Sequence, residues 1–412
     1  MPTNHIGHMP VSKVERAVIS VKTLRSFREL DTLADLWNEL LTRSHNNNVF
    51  LTWEWVSCWV RNYLRDGQLR CLAVYEESKL VAIAPLWIDE VRVGGILRVR
   101  VLKFVGGKEV CSDHLDFIVG CKNHRPPARA IWDHLFGELG REWDVLEYYQ
   151  VPSNSMVLEV FRTLAEQDHR CIRNAIEEYT VCPYVVLPGS WEEYVAGLSA
   201  KQRWSLRAST GRLAQHGPLE LRICESPDAL PGDLQQLIEL NRRNWNERGQ
   251  PGSFATPQFI RFHELIAGNF LARGMLFLCS LWLNDQHLGS FYGFAYNKTV
   301  YFYVIGVDRH RFLGVNIGRV LLGMCVQESI RRGHREFDLL RGNEEYKYQW
   351  TDRDRRNLSL SFHNCTSRAL ALILYRFVHQ FTRQVAKALL WRRQPAAAGT
   401  QPSATSTPKS AT

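Results

Sequence analysis

Leu33, Leu36, Trp37, Leu40 and Leu41 recur at three- and four-residue steps, and Trp53, Val56, Val60, Tyr63 and Leu64 form a second such stripe. That period puts each set on one face of a helix, so two amphipathic helices open the chain. Residues 69–75 (LRCLAVY) and 80–88 (LVAIAPLWI) are apolar, partly alternating runs split by the polar EESK, the pattern of a β-hairpin. An irregular β-rich insertion with a strand over 114–120 follows. A helix over 128–140 and a strand entered through Trp143-Asp144-Val145-Leu146 complete the series.

The order then returns. Leu234, Leu237 and Ile238, followed by Phe259, Phe262, Ile266 and Phe270, predict two helices; residues 276–283 and 288–296 predict a hairpin about NDQH. Residues 299–307 predict a strand and 314–332 a helix, and Phe337-Asp338-Leu339-Leu340 closes the unit with Asp338 in the place of Asp144. Six matched elements ending in aromatic-Asp-apolar-Leu read as a duplication. The chain thus divides into a flexible segment 1–19, a degenerate first unit 20–187, a second unit 188–366 that opens on a basic helical stretch (191–215), a helix 367–393 and a disordered Ala/Pro/Ser/Thr-rich tail 394–412. In the helix, Leu370, Leu374, Phe377, Phe381, Val385 and Leu389 share one face, while Arg376, Arg383 and Lys387 take another. Two roles are open to it: packing against the second unit, or peripheral contact with an anionic membrane surface.

Composition sharpens the picture. Apolar residues make up 45% of the 412, enough to fill two cores. The net charge of +9 would point to nucleic acid, but residues 355–412 hold nine Lys/Arg and no Asp or Glu, so residues 1–354 balance and no nucleic-acid partner is expected. Ten scattered Cys without a C-x-x-C fit a reducing cytoplasm, and neither a secretory leader nor an unbroken apolar run of membrane length is present. Cys111-Ser112-Asp113-His114 has metal-capable side chains but no partner cluster at zinc spacing, so these are read as buried or turn residues and no metal is expected.

Chemistry is concentrated after the strand ending at Val307. Arg311, Gly314, Asn316 and Gly318 form a glycine-containing loop that runs into a helix, an arrangement that points unpaired N–H groups and a positive helix end at one spot and suits a pyrophosphate. Arg311-x-x-Gly314-x-Asn316 resembles the coenzyme-A loop of GNAT acyltransferases, with Asn316 where those have Gly or Ala and able, as Asn is, to take positive φ. Phe337-Asp338-Leu339-Leu340-Arg341-Gly342-Asn343-Glu344-Glu345-Tyr346-Lys347-Tyr348-Gln349-Trp350 resembles the F-D-x-x-R-G-[D/N]-E-x-Y-K-x-x-W signature of CelD-like, cellulose-biosynthesis acetyltransferases, and Ser199 to Arg207 resembles their basic opening helix. The likeness covers residues 190–352; residues 20–185 follow it only in element order, as in FemAB-like proteins with a duplicated GNAT fold.

The resemblance implies an α+β protein of two tandem GNAT-like halves plus a C-terminal amphipathic helix, with one working site, in the second half. It further implies transfer of an acetyl or longer acyl group from acyl-CoA to an amine or hydroxyl of a small or saccharide acceptor, in exopolysaccharide or cell-envelope assembly, in the cytoplasm or at the inner face of the membrane. Val304 and Ile305 would align the pantetheine, and Arg311, Gly314, Asn316 and Gly318 would hold the phosphates. Glu344 would serve as base, Tyr346 as acid for the thiolate, Lys347 and Arg341 as anion contacts, Asp338 as a secondary catalytic candidate, and Lys201 and Arg203 as contacts to an acidic acceptor or to the coenzyme phosphates. Blander readings stand beside these: a strand-end cap for Asp338, a solvated loop pair for Glu344 and Tyr346, and a solvated helix face for Lys201 and Arg203. An aminoacyl-tRNA-dependent transferase and a catalytically silent scaffold remain the alternatives for the whole.

Overall fold

The computed structural model describes residues 18–312 and 314–392, the last ten by backbone alone. Most of the expected N-terminal segment and all of the tail 394–412 lie outside the described residues, as do the side chains of Arg383, Val385, Lys387 and Leu389. The first half runs through β1 (Ile19–Leu24), α1 (Phe27–Asp31), α2 (Ala34–Thr42), α3 (Trp53–Tyr63), β2 (Cys71–Glu76), β3 (Lys79–Ala84), β4 (Leu86–Val93), β5 (Leu97–Phe104), β6 (Ile118–Val119), α4 (Arg125–Phe136), β7 (Val145–Pro152) and α5 (Met156–Gln167). A long strand β8 (Cys171–Val186) leads into α6 (Trp191–Gly197), α7 (Ala200–Ala214), β9 (Leu219–Ile223), α8 (Leu230–Asn246), α9 (Pro257–Ala272), β10 (Leu276–Leu283), β11 (Gln286–Tyr296), β12 (Thr299–Val307), α10 (Ile317–Arg331), β13 (Glu336–Asp338), β14 (Asp354–Asn364) and α11 (Ser367–Arg392).

Local chemistry sets the boundaries. Thr52 and Thr256 cap α3 and α9 through their hydroxyls, and Pro257 stands at the first turn of α9, where its missing N–H costs nothing. Asn284-Asp285 and Asn297-Lys298 take positive φ in the tight turns between β10, β11 and β12, as two-residue hairpin loops require. The run at 80–88 is two strands, because Pro85 lacks the N–H that a continuous ladder needs. The strand expected over 114–120 shrinks to Ile118–Val119, because Cys111 and His114 adopt positive φ in the preceding loop.

Strands β1-β2-β3-β6 form a small sheet, and the other ten form one sheet in the order β4-β5-β7-β14-β8-β13-β12-β11-β10-β9. The two halves exchange strands. β14, from the end of the second unit, lies between β7 and β8, while the end of β8 pairs with β13 through Tyr184, Val185 and Val186. Residues 354–364 therefore complete the sheet of the first half. The halves also share a core: Trp55 of α3, fully buried, meets Phe262 and Phe270 of α9 and Phe294 of β11 with ring centroids 5.0–6.1 Å apart. α11 is held to the first half, not the second, through buried Ala369 and Leu372, the latter against Val99, Val101 and Val145.

Candidate active site

β12 pairs with β11 along its whole length but with β13 only from Thr299 to Tyr301. Beyond Tyr301 the parallel neighbours separate and a cleft opens. A bulge accompanies the divergence: Tyr292 faces Val304 and Gly293 faces Phe302, which leaves Tyr303 as the extra residue. The bulge is held by a buried chain of hydrogen bonds. Tyr292 Oη donates to His263 Nδ1 (3.1 Å), His263 Nε2 donates to the Tyr303 oxygen (3.0 Å), and Tyr303 Oη donates to the carbonyl of Val110 in the first half (2.5 Å). Burial pushes the His263 pKa down to about 3, so its ring stays neutral, as this chain of bonds requires. On the cleft side, Asn241 Nδ2 donates to Ile305 O (3.3 Å), while Asn244 donates to Val307 O (2.8 Å) and accepts from its N–H (3.1 Å).

The cleft, about 1110 Å³, runs from this opening to the start of α10 and is lined by Val304, Ile305, Gly314, Asn316, Gly318, Arg341, Glu344, Tyr346 and Lys347. Gly314 has φ +77°, with none of the described residues beyond its chain neighbours near the position a Cβ would take. Asn316 does not use positive φ: at φ −85° it is the N-cap of α10, and its Oδ1 accepts from the Arg319 N–H (3.0 Å). One of the helix's free donors is thereby satisfied internally, while the Gly318 N–H has no partner among the described residues. Arg311 points elsewhere, donating to Gln286 (2.8 Å) and lying 3.7 Å from Asp308, and does not line the cleft.

The segment after β13 divides into residues that hold the fold and residues that face the cleft. Asp338 is fully buried; it accepts from His114 Nε2 (3.0 Å) and the Leu340 N–H (2.8 Å), with Arg355 3.7 Å away. Asp144 is not its structural counterpart, for it precedes its strand and binds Arg100 and Thr366. Arg341 lines the cleft, yet its guanidinium pairs with buried Asp113 (2.8 Å) and donates to Ser112 O (2.8 Å). Lys347 is buried, donating to the carbonyls of Leu340 (3.2 Å) and Arg341 (2.5 Å) and pairing with Glu344 (3.1 Å). Asp338 and Lys347 are thus taken up by the protein itself, because each is buried and needs internal partners. Arg203 is likewise committed, to the carbonyls of Ala196 and Leu198 between α6 and α7, and neither it nor exposed Lys201 lines the cleft. Glu344 and half-exposed Tyr346 remain at the cleft wall; burial and the Glu344 charge hold the Tyr346 phenol above its usual range.

Sequence reasoning missed Asn241, His263 and Arg355; it read Asp113 and His114 as buried or turn residues, which they are, without their partners. The run Cys111 to His114 meets the second half through Asp113–Arg341 and His114–Asp338. No group of side chains suited to a metal occurs among the described residues.

Residues 200–348 match the family model described as Acetyltransferase (GNAT) domain. A comparison with curated proteins gives no match. Among solved structures the chain is similar to FemX, at 10% identity over 82% of this chain and 98% of that one, with a TM-score of 0.57. It is also similar to a protein of unknown function from Bacteroides thetaiotaomicron, at 13% identity over 84% of this chain and 100% of that one, with a TM-score of 0.51. Residues 200–348 therefore resemble a GNAT acetyltransferase domain. The chain as a whole has the α+β architecture of two GNAT-like halves, a fold it shares with FemX.

Proposed function

We propose that this protein transfers an acyl group from acyl-CoA to an amine or hydroxyl acceptor in the cleft between β12 and α10. The observation that carries the reading is the divergence of β12 from β13, which opens directly onto the free Gly318 N–H and the open space about Gly314. The splayed edge at Val304 and Ile305 suits an extended pantetheine arm, and the N-terminal end of α10 suits its pyrophosphate. The acceptor's nitrogen or oxygen forms the new bond to the acyl carbon as the thioester C–S bond breaks. Glu344 takes the acceptor's proton and Tyr346 supplies one to the departing thiolate. A phenol held above its usual range stays protonated at neutral pH, as a proton donor to sulfur must. By likeness to CelD-like proteins, the acceptor belongs to exopolysaccharide or envelope assembly. Acyl transfer from acetyl-CoA to a panel of amino and hydroxyl sugars, followed by thiol release, tests this; no release with any acceptor by folded protein rejects it.

One observation favours a second reading, an aminoacyl-tRNA donor: the Asn316 side chain occupies a helix donor that a pyrophosphate would use. Retention of acyl-CoA binding decides between the two.

We also propose that α11 rests on an anionic membrane surface. Leu370, Leu374, Phe377, Val378 and Phe381 form one stripe, each at least half exposed, beside a chain end that carries nine Lys/Arg and no acid.

A further inference from the structure

The wall of the cleft formed by α8 has no role in the chemistry above, yet it is built like a binding surface. Asn241, Asn244, Trp245 and Arg248 follow at i, i+3, i+4 and i+7, so one face of α8 and its final turn meets the cleft. Asn241 is 3% exposed, and with Nδ2 used on Ile305, its Oδ1 is buried without a partner among the described residues. An orphaned buried acceptor of this kind is destabilising unless a donor reaches it. Further along, Arg248 lies over the Trp245 ring (5.4 Å), and Arg309, at the end of β12, also lines the cleft. The neighbouring acids are engaged elsewhere: Asp308 by Arg243 (3.0 Å) and Arg311, Glu247 by His310 (2.8 Å). Among the described residues neither Arg248 nor Arg309 has an ion-pair or side-chain hydrogen-bond partner, and burial together with the Arg248 charge lowers the Arg309 pKa. Gly252 packs closely against Trp245, where a Cβ would stand 2.8 Å from the ring.

We propose that this wall is a substrate subsite for an anionic group, a phosphate or a carboxylate: Arg248 and Arg309 bind the anion, and Asn241 Oδ1 accepts from an N–H or O–H of the same ligand. The proposal rests on the reading of the cleft as an acyltransferase site and names the charge its ligand carries. Two sources supply such a group: the 3′-phosphate of the donor and an anionic acceptor.

The test compares the full chain with the double variant Arg248→Gln/Arg309→Gln, matched by thermal melting. Calorimetry is run with acetyl-CoA, its 3′-dephospho form and inorganic pyrophosphate, and turnover with an amino sugar and its phosphate ester. Loss of about tenfold or more in affinity for acetyl-CoA but not for the dephospho form assigns the anion to the donor. Unchanged donor affinity with a similar loss of preference for the sugar phosphate assigns it to the acceptor. If the wild type binds no acyl-CoA, the acyl-CoA reading fails by itself, while pyrophosphate binding that the variant lacks still supports the anion subsite. Equal behaviour of wild type and variant toward every probe overturns the subsite. Asn241→Ala supplies a second readout: it raises KM for the ligand bound here and leaves KM for the other substrate unchanged.

Discussion

His114 and Asp338, 224 residues apart and from opposite halves, meet at 3.0 Å in the interior, with the other imidazole nitrogen 3.0 Å from the side-chain amide of Asn357. An imidazolium can donate from both nitrogens at once. Burial opposes that charge, but the charge and hydrogen bond of Asp338 outweigh it and raise the His114 pKa. Burial also opposes the Asp338 carboxylate, which His114 and Arg355 together hold below its usual range. This pair, with Asp113–Arg341 beside it, fastens the loop before β6 to the segment that carries Glu344 and Tyr346.

The pair's contribution has a definite pH window. A raised histidine stabilises fully below its unfolded value of about 6.5 and loses that contribution as pH rises through the folded value; a depressed aspartate loses its own as pH falls through its lowered value. His114→Gln, which strands a buried carboxylate, should cost roughly 3–5 kcal/mol in urea unfolding at pH 5.5, with a smaller cost at pH 9. The double change His114→Gln/Asp338→Asn should cost less than the sum of the single changes. Equal costs at both pH values would mean that the imidazole is neutral throughout.

Asn316 sets helix stability against donor binding. Asn316→Gly keeps an acceptable cap residue and removes the side-chain acceptor from the Arg319 N–H, which keeps its bond to the carbonyl of residue 316 (3.1 Å), so stability should fall by only a few tenths of a kcal/mol, while acyl-CoA affinity holds or rises. A fall in affinity would show that the Asn side chain itself contacts the donor.

Glu344→Gln and Tyr346→Phe should each lower kcat by about 10²- to 10⁴-fold with little change in donor KM. Because the Tyr346 phenol is held above its usual range, the wild-type rate should show no loss on the alkaline side up to roughly pH 10, the ordinary tyrosine value. An alkaline limb near pH 8 would exclude it as the acid.

For α11, Leu374→Asp/Phe377→Asp should abolish sedimentation with vesicles rich in anionic lipid and leave turnover of a soluble acceptor unchanged. Wild-type protein that stays in the supernatant, or that dimerises through this stripe, rejects membrane contact.

Much of the architecture was legible because helix and hairpin periods are local: α2, α3, α9, β10, β11 and β12 fall where the stripes of apolar residues put them. β8 was not, since Arg173, Asn174, Glu177 and Glu178 interrupt its apolar positions, and its pairing with both β13 and β14 joins segments far apart in the chain. The site divides in the same way. Gly314, Gly318, Glu344 and Tyr346 stand out through spacing within a motif. Asp113–Arg341 and Asn241–Ile305 have no such mark, because pairs separated by 228 and 64 residues are brought together only by the fold. Lys347 and Asp338 read as site residues for a related reason: a charged residue in a motif reads the same from sequence whether it faces ligand or the protein interior.

The most direct measurement is calorimetric titration of the full chain with acetyl-CoA and a longer acyl-CoA, beside Gly314→Glu and a Gly314→Asn control that tolerates positive φ without adding charge. The account predicts roughly micromolar binding by the wild type, retained by Gly314→Asn and lost in folded Gly314→Glu. Absence of binding by well-folded wild type, or binding that Gly314→Glu leaves intact, would contradict an acyl-CoA site between β12 and α10.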